Sequence, residues 1–170
     1  YKPVPIESNE EARKNYLADR CDTYTTDASA LAATRATFEN PNTHSILPEI
    51  ISKEPLGPVV RHGDNQWEDI VRWTVYALIA GEEYGITKGN ADAKSSDKSN
   101  PNVSRLLGSE GNLGGMLGLD KSWAKRAIKA RGNYAEIFES NLGMSTPVAL
   151  ARGMNAHYKN GGMQYNPPFR

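Results

Sequence analysis

Apolar residues recur at helical spacing in several stretches of the chain, separated by short runs with the look of strands. The clearest stretch runs from Asp64 to Tyr84. Trp67, Ile70, Val71, Thr74, Val75, Leu78 and Ile79 fall three or four apart, Asp64 can cap the start and Gly85 can stop the end. Trp67 and Trp73 are six positions apart, which puts them on different faces, one inward and one half-exposed. Near the start, Ser8-Asn9-Glu10-Glu11 matches a capping box. The helix behind it carries Ala12, Tyr16 and Leu17 on one face and ends near Asp19-Arg20. Cys21 to Thr25 reads as a strand, and Asp27 leads at once into a helix over 28–38, with Leu31, Ala32, Arg35 and Phe38 in register.

Lys2 to Ile6, where Val4 and Ile6 alternate, reads as an edge strand, and 45–52 and 57–61 read as two more. Such alternation predicts an α/β protein with a largely parallel sheet. From 86 to 119 Gly, Ser, Asn, Asp and Lys dominate, which predicts an excursion with little core of its own and one short helix at 101–107. Two helices then return. The first is capped by Asp120 and turns Trp123, Ala124 and Ile128 inward. The second, over 133–142, turns Tyr134, Ile137 and Phe138 inward. The tail from Met144 should run extended over the surface.

Composition narrows the function classes. The 170 residues carry 20 Lys and Arg against 20 Asp and Glu, so there is no basic excess to hold a nucleic acid. The longest apolar run, 73–81, is less than half of a membrane span, so no membrane insertion is expected. Cys21 stands alone, which excludes an internal disulfide and a Cys-x-x-Cys metal site. The sequence starts at Tyr1 without Met or an apolar leader, as a processed protein or a fragment would.

Few residues suggest chemistry by themselves. Asp27 sits at a strand-to-helix junction, where a parallel sheet opens onto ligand space. Its carboxylate can receive an ammonium group, cap the following helix, or do both. His44, His62 and His157 lack ligand spacing, so no metal is expected. Gly111-Asn112-Leu113-Gly114-Gly115 lacks the spacing of a phosphate loop and reads as a flexible loop. Ser29 near Asp27 has no G-x-S-x-G elbow around it, which leaves a hydrolase or transferase using Asp27 and Ser29 as a secondary reading. A ligand-free interaction fragment is the third.

Four separated segments together carry a family resemblance. Residues 19–31 (DRCDTYTTDASAL) resemble the GR-x-D…T-D strand-turn-helix of periplasmic binding proteins for polar amino acids. Residues 47–58 (LPEIISKEPLGP) look like the return crossing of the general L-amino-acid subfamily. Residues 132–139 (GNYAEIFE) resemble its closing helix, and 153–156 with 161–170 its C-terminal end. The resemblance implies the type II periplasmic-binding-protein fold, two α/β lobes joined by hinge strands, which closes on one amino acid and passes it to the permease of an ABC importer. It further implies the periplasm of a Gram-negative bacterium, and binding without catalysis, cofactor or metal.

The family is about twice as long, and this chain corresponds to its C-terminal half. Residues 1–50 would be the latter part of lobe 2, and 51–85 the return crossing strand and a lobe 1 helix. Residues 86–130 would be a subfamily insertion, and 131–170 the closing helix and tail. The missing N-terminal half, or a second copy, would cover the apolar stripe of the long helix. Carried over by position, Asp27 matches the aspartate that receives the ligand's α-ammonium. Thr26 matches a position that touches the ligand side chain, and Asn9 aligns more loosely with another. Cys21 would pair with a cysteine outside this chain.

Overall fold

The computed structural model describes residues 2–3, 5–53 and 55–170. Val4, on which the first edge strand leans, lies outside them, as do Tyr1 and Glu54 of the 47–58 segment. The chain divides into two compact units, 1–54 and 55–170.

The first unit is built on two short helices, α1 (Asn9–Leu17) and α2 (Ala28–Ala36). Ser8 Oγ accepts from the Glu11 amide at 3.2 Å, as its place in the capping motif predicts. Tyr16 on α1 packs on Tyr24, Phe38 and His44, with ring centroids 6.1, 6.1 and 5.5 Å away. Ala32 is the one fully buried apolar side chain among the described residues of this unit. A core so small is below what a chain of this size needs to hold itself folded.

The strands expected at 21–25, 45–52 and 57–61 do not form. Among the described residues the one β pairing is an isolated parallel bridge between His157 and Gln164. Among the described residues no sheet therefore stands behind the α/β expectation, and the reason is physical. A strand exists only through its ladder, and none of these segments finds a partner here. Much of their apolar surface stays in water: Leu47, Ile50, Ile51 and Val59 are exposed, Val59 by 95%.

The second unit is helical. The long helix α3 (Asn65–Glu83) is followed by α4 (Ala91–Ser96), α5 (Pro101–Leu106), α6 (Leu113–Met116), α7 (Trp123–Arg131) and α8 (Tyr134–Asn141). Asp64 accepts from the Trp67 amide at 3.0 Å, and Gly85 ends α3 with φ +61°. α3 packs against α7 and α8, and α4 against α5 and α7. Gly81 lets α3 approach closely, because a Cβ there would meet Ile128 at 3.0 Å and Asn133 at 3.3 Å.

Residues 86–119 are not the coreless excursion their composition suggested. Ile86, Ala91, Val103, Leu106 and Leu107 are buried in one cluster with Ala77, Ala80, Trp123, Ala124 and Ile128. Apolar residues are sparse in that stretch, but most of them point inward, with Met116 an exposed exception. The abundant polar residues serve as caps, as Asn100 and Asn112 do for α5 and α6. Nor is the glycine run a flexible loop. It forms α6, where a Cβ on Gly114 would lie 2.2 Å from the Asp120 carbonyl oxygen. Asp120 itself does not cap α7. Ser122 stands at that position, and the Asp120 carboxylate accepts from the Ser122 amide at 2.9 Å.

Asn133 and Glu136 form a reciprocal capping box at α8, a feature the apolar spacing of that helix does not reveal. Asn133 is 5% exposed and also donates to the Ile86 carbonyl at 2.9 Å, tying the start of α8 to the chain beyond α3. The tail is pinned down. Phe169, 7% exposed, packs edge-on to Trp73 at 5.3 Å. Arg152 pairs with Glu82 at 3.0 Å and lies over the rings of Tyr134 and Phe138 at 5.4 and 5.2 Å. The apolar stripe of α3 is thus covered within its own unit toward its C-terminal end, where Ala77, Ile79 and Ala80 are buried. Trp67 near its start is half-exposed, and Trp73 packs on the core.

Candidate functional site

A cleft of about 300 Å³ opens in the first unit. Asn9, Glu10 and Arg13 of α1 form one wall, and Ala30 and Thr34 of α2 the other. Tyr24 and Thr26 of the connector complete it. The helical period explains the set: Asn9 and Arg13 are one turn apart, as are Ala30 and Thr34. Tyr24 is held by its packing on Tyr16. Six of the seven lining side chains can hydrogen-bond, which suits a small polar ligand.

Of the three residues expected at a site, the cleft brings together Asn9 and Thr26. Asp27 is next to Thr26 but is not among the lining residues. It is half-buried at the N-cap position of α2, where its carbonyl accepts from the Leu31 amide at 2.8 Å. Its carboxylate makes no capping bond. Of the two roles open to it, the side-chain cap is not taken up. Ser29 does not line the cleft either. Arg13, Tyr24 and Thr34 were missed. Helical spacing from Asn9 would have found Arg13.

The electrostatics of the cleft are asymmetric. Glu10 pairs with Lys14 at 2.8 Å, and that bond, with smaller help from Arg13, holds its carboxyl below the usual carboxylate range. Arg13 is half-buried and has no carboxylate within pairing distance among the described residues.

A second hollow, of about 480 Å³, lies in the second unit between Glu83, Tyr84, Tyr158, Tyr165, Asn166 and Pro168. Its charge is already matched, because Lys159 bonds Glu83 at 3.0 Å and the Tyr158 hydroxyl donates to the same carboxylate at 3.3 Å. Burial, and then the neighbouring Glu83, push the Tyr84 phenol above its usual pKa. Among the described residues no group of three His, Cys, Asp or Glu side chains could hold a metal ion, and no helix is long and apolar enough to cross a membrane.

No protein-family model matches the chain. Its whole length is 58% identical to the glutamate/glutamine/aspartate/asparagine-binding protein BztA of Rhodobacter capsulatus. It is 54% identical to the general L-amino acid-binding periplasmic protein AapJ of Rhizobium johnstonii. The chain is homologous to periplasmic amino-acid-binding proteins of ABC transporters. It spans about half the length of the curated relatives it matches, 50% of each. A solved structure, the ABC transporter periplasmic binding protein from Brucella ovis with glutathione bound, matches all of the chain at 51% identity and a TM-score of 0.89, over 53% of its own length. At that likeness the chain has the fold of the corresponding part of a periplasmic binding protein.

Proposed function

We propose that this chain is the C-terminal half of a two-lobed solute-binding protein that holds a polar L-amino acid in the periplasm of a Gram-negative bacterium and delivers it to an ABC importer. The observation that carries the reading is the 58% identity, over every residue, to a binding protein for glutamate, glutamine, aspartate and asparagine. In this reading 1–50 belong to lobe 2, and 51–85 return to lobe 1, with the unit boundary at 54/55 in support of a crossing there. Residues 86–130 are the subfamily's own addition, and 131–170 close the lobe. The α/β sheets are completed by strands from the other half, which pair with 21–25, 45–52 and 57–61 and cover their exposed side chains. Cys21, free and half-buried, takes its disulfide partner from the same half.

Asp27 receives the ligand's α-ammonium, and Asn9 and Thr26 touch its side chain. The uncapped carboxylate and the cleft beside it support both assignments. The glutathione in the Brucella protein is consistent with such a head group, since its γ-glutamyl end presents a free α-ammonium and α-carboxylate. The site binds and does not catalyse.

Calorimetric titration of the full-length protein with glutamate, glutamine, aspartate, asparagine and glutathione tests this. One-to-one binding without turnover is expected. Ester hydrolysis that depends on Asp27 and Ser29 would replace the reading with an enzymatic one, and silence toward every ligand would leave only an interaction fragment.

A further inference from the structure

We propose that Arg13 receives the negative charge at the far end of the ligand and so sets how strongly acidic ligands are favoured over their amides. This rests on the binding reading above and adds a residue that neither the sequence motifs nor the relatives' names assign. Arg13 lines the cleft one helical turn from Asn9, facing Thr26 and Thr34 across it. Arg13 is half-buried, and its guanidinium has no hydrogen bond or ion pair among the described residues.

The charges around the cleft point the same way. Glu10 is the carboxylate beside Arg13, and Lys14 already holds it at 2.8 Å. One positive charge is therefore left over on the cleft wall. A guanidinium is suited to that place, because it stays charged, is weakly hydrated and offers a planar fork that matches a carboxylate bidentately. Asn9, Thr26 and Thr34 supply neutral groups that serve acid and amide alike. The cleft is thus built to hold a polar side-chain end of either kind, with Arg13 the member that tells them apart.

The test is a pair of affinities in the full-length protein. Kd is measured for glutamate and for glutamine by calorimetry, in the parent, in Arg13→Met and in Arg13→Lys. Removal of a charge-assisted bond should weaken glutamate about 10- to 100-fold and leave glutamine within a few-fold. Arg13→Lys should fall between, since it keeps the charge and loses the fork. It also carries the test alone if Arg13→Met does not fold. A glutamate-to-glutamine ratio unchanged in both variants, or equal losses for both ligands, overturns the assignment. A parent that binds neither ligand overturns the binding reading itself, and that result is seen before any variant is made.

Discussion

Tyr16 and His44 share a hydrogen bond of 2.8 Å between the phenol oxygen and Nδ1, 28 residues apart in the chain. His44 also sits edge-on to Phe38 at 4.7 Å. Together these contacts fold the end of the first unit back onto α1, and through Tyr24 they fix one side of the cleft. A histidine in a turn, without ligand spacing, turns out to hold the small unit together.

Tyr16→Phe removes that bond and keeps the ring packing. The full-length protein should lose about 0.5–1.5 kcal/mol of stability, with the slope of the urea transition unchanged. Glutamate affinity should change little. A transition midpoint equal to the parent's would show that the bond contributes nothing.

Asp27→Asn separates binding from folding. With no capping bond to lose, the apo protein should melt as the parent does. Taking one partner from a desolvated charge pair costs roughly 2–5 kcal/mol, or about thirtyfold to several thousandfold in affinity. Parent-like affinity for glutamate in this variant would remove Asp27 from the site.

Arg152 and Glu82 are 15% and 11% exposed at the side chain, which makes their pair nearly buried. Arg152→Met should destabilise the protein by about 3–5 kcal/mol, because it strands the Glu82 charge. Adding Glu82→Gln should recover part of that loss. A double-mutant cycle by chemical denaturation reads the coupling, and strictly additive losses would contradict it.

The Glu83 corner should show in the alkaline limb of the melting curve. Its bond to Glu83 raises the Lys159 pKa, and burial raises that of Tyr84. In both cases the folded state holds the proton more tightly. The stabilisation is full below the unfolded pKa values, near 10, and drains away as pH rises through the folded ones. Lys159→Gln together with Tyr84→Phe should flatten the fall of Tm above about pH 10. Asp92 works in the opposite direction: the Lys129 bond lowers its pKa, so its contribution is present above about pH 4 and is lost in acid. An acid limb untouched by Asp92→Asn would count against this.

The sequence was most legible where structure is local. α3 follows its own periodicity from Asp64 to Gly85, and Ser8 caps α1 as its motif implies. The segments read as strands form none here for a reason the residues themselves cannot show: a pattern of alternating Thr and Tyr gives the capacity to pair, and pairing needs another strand. Residues 86–119 were misread because composition averages over positions, and five well-placed apolar side chains outweigh many polar ones. At the cleft, Asn9 and Thr26 were legible, but Arg13 gained meaning only when α1 and α2 were seen to face each other.

The contact between Trp73 and Phe169 also bears on timing. About 100 residues separate the two rings, a long loop to close, and such contacts form late and slowly. During synthesis at ~5–20 residues per second, Trp73 emerges several seconds or more before its partner. The second unit therefore cannot finish its core while it is still on the ribosome with the tail unmade. Until Phe169 arrives, Trp73 lacks the ring it packs against, so this part of the core closes only after most of the second unit has been made.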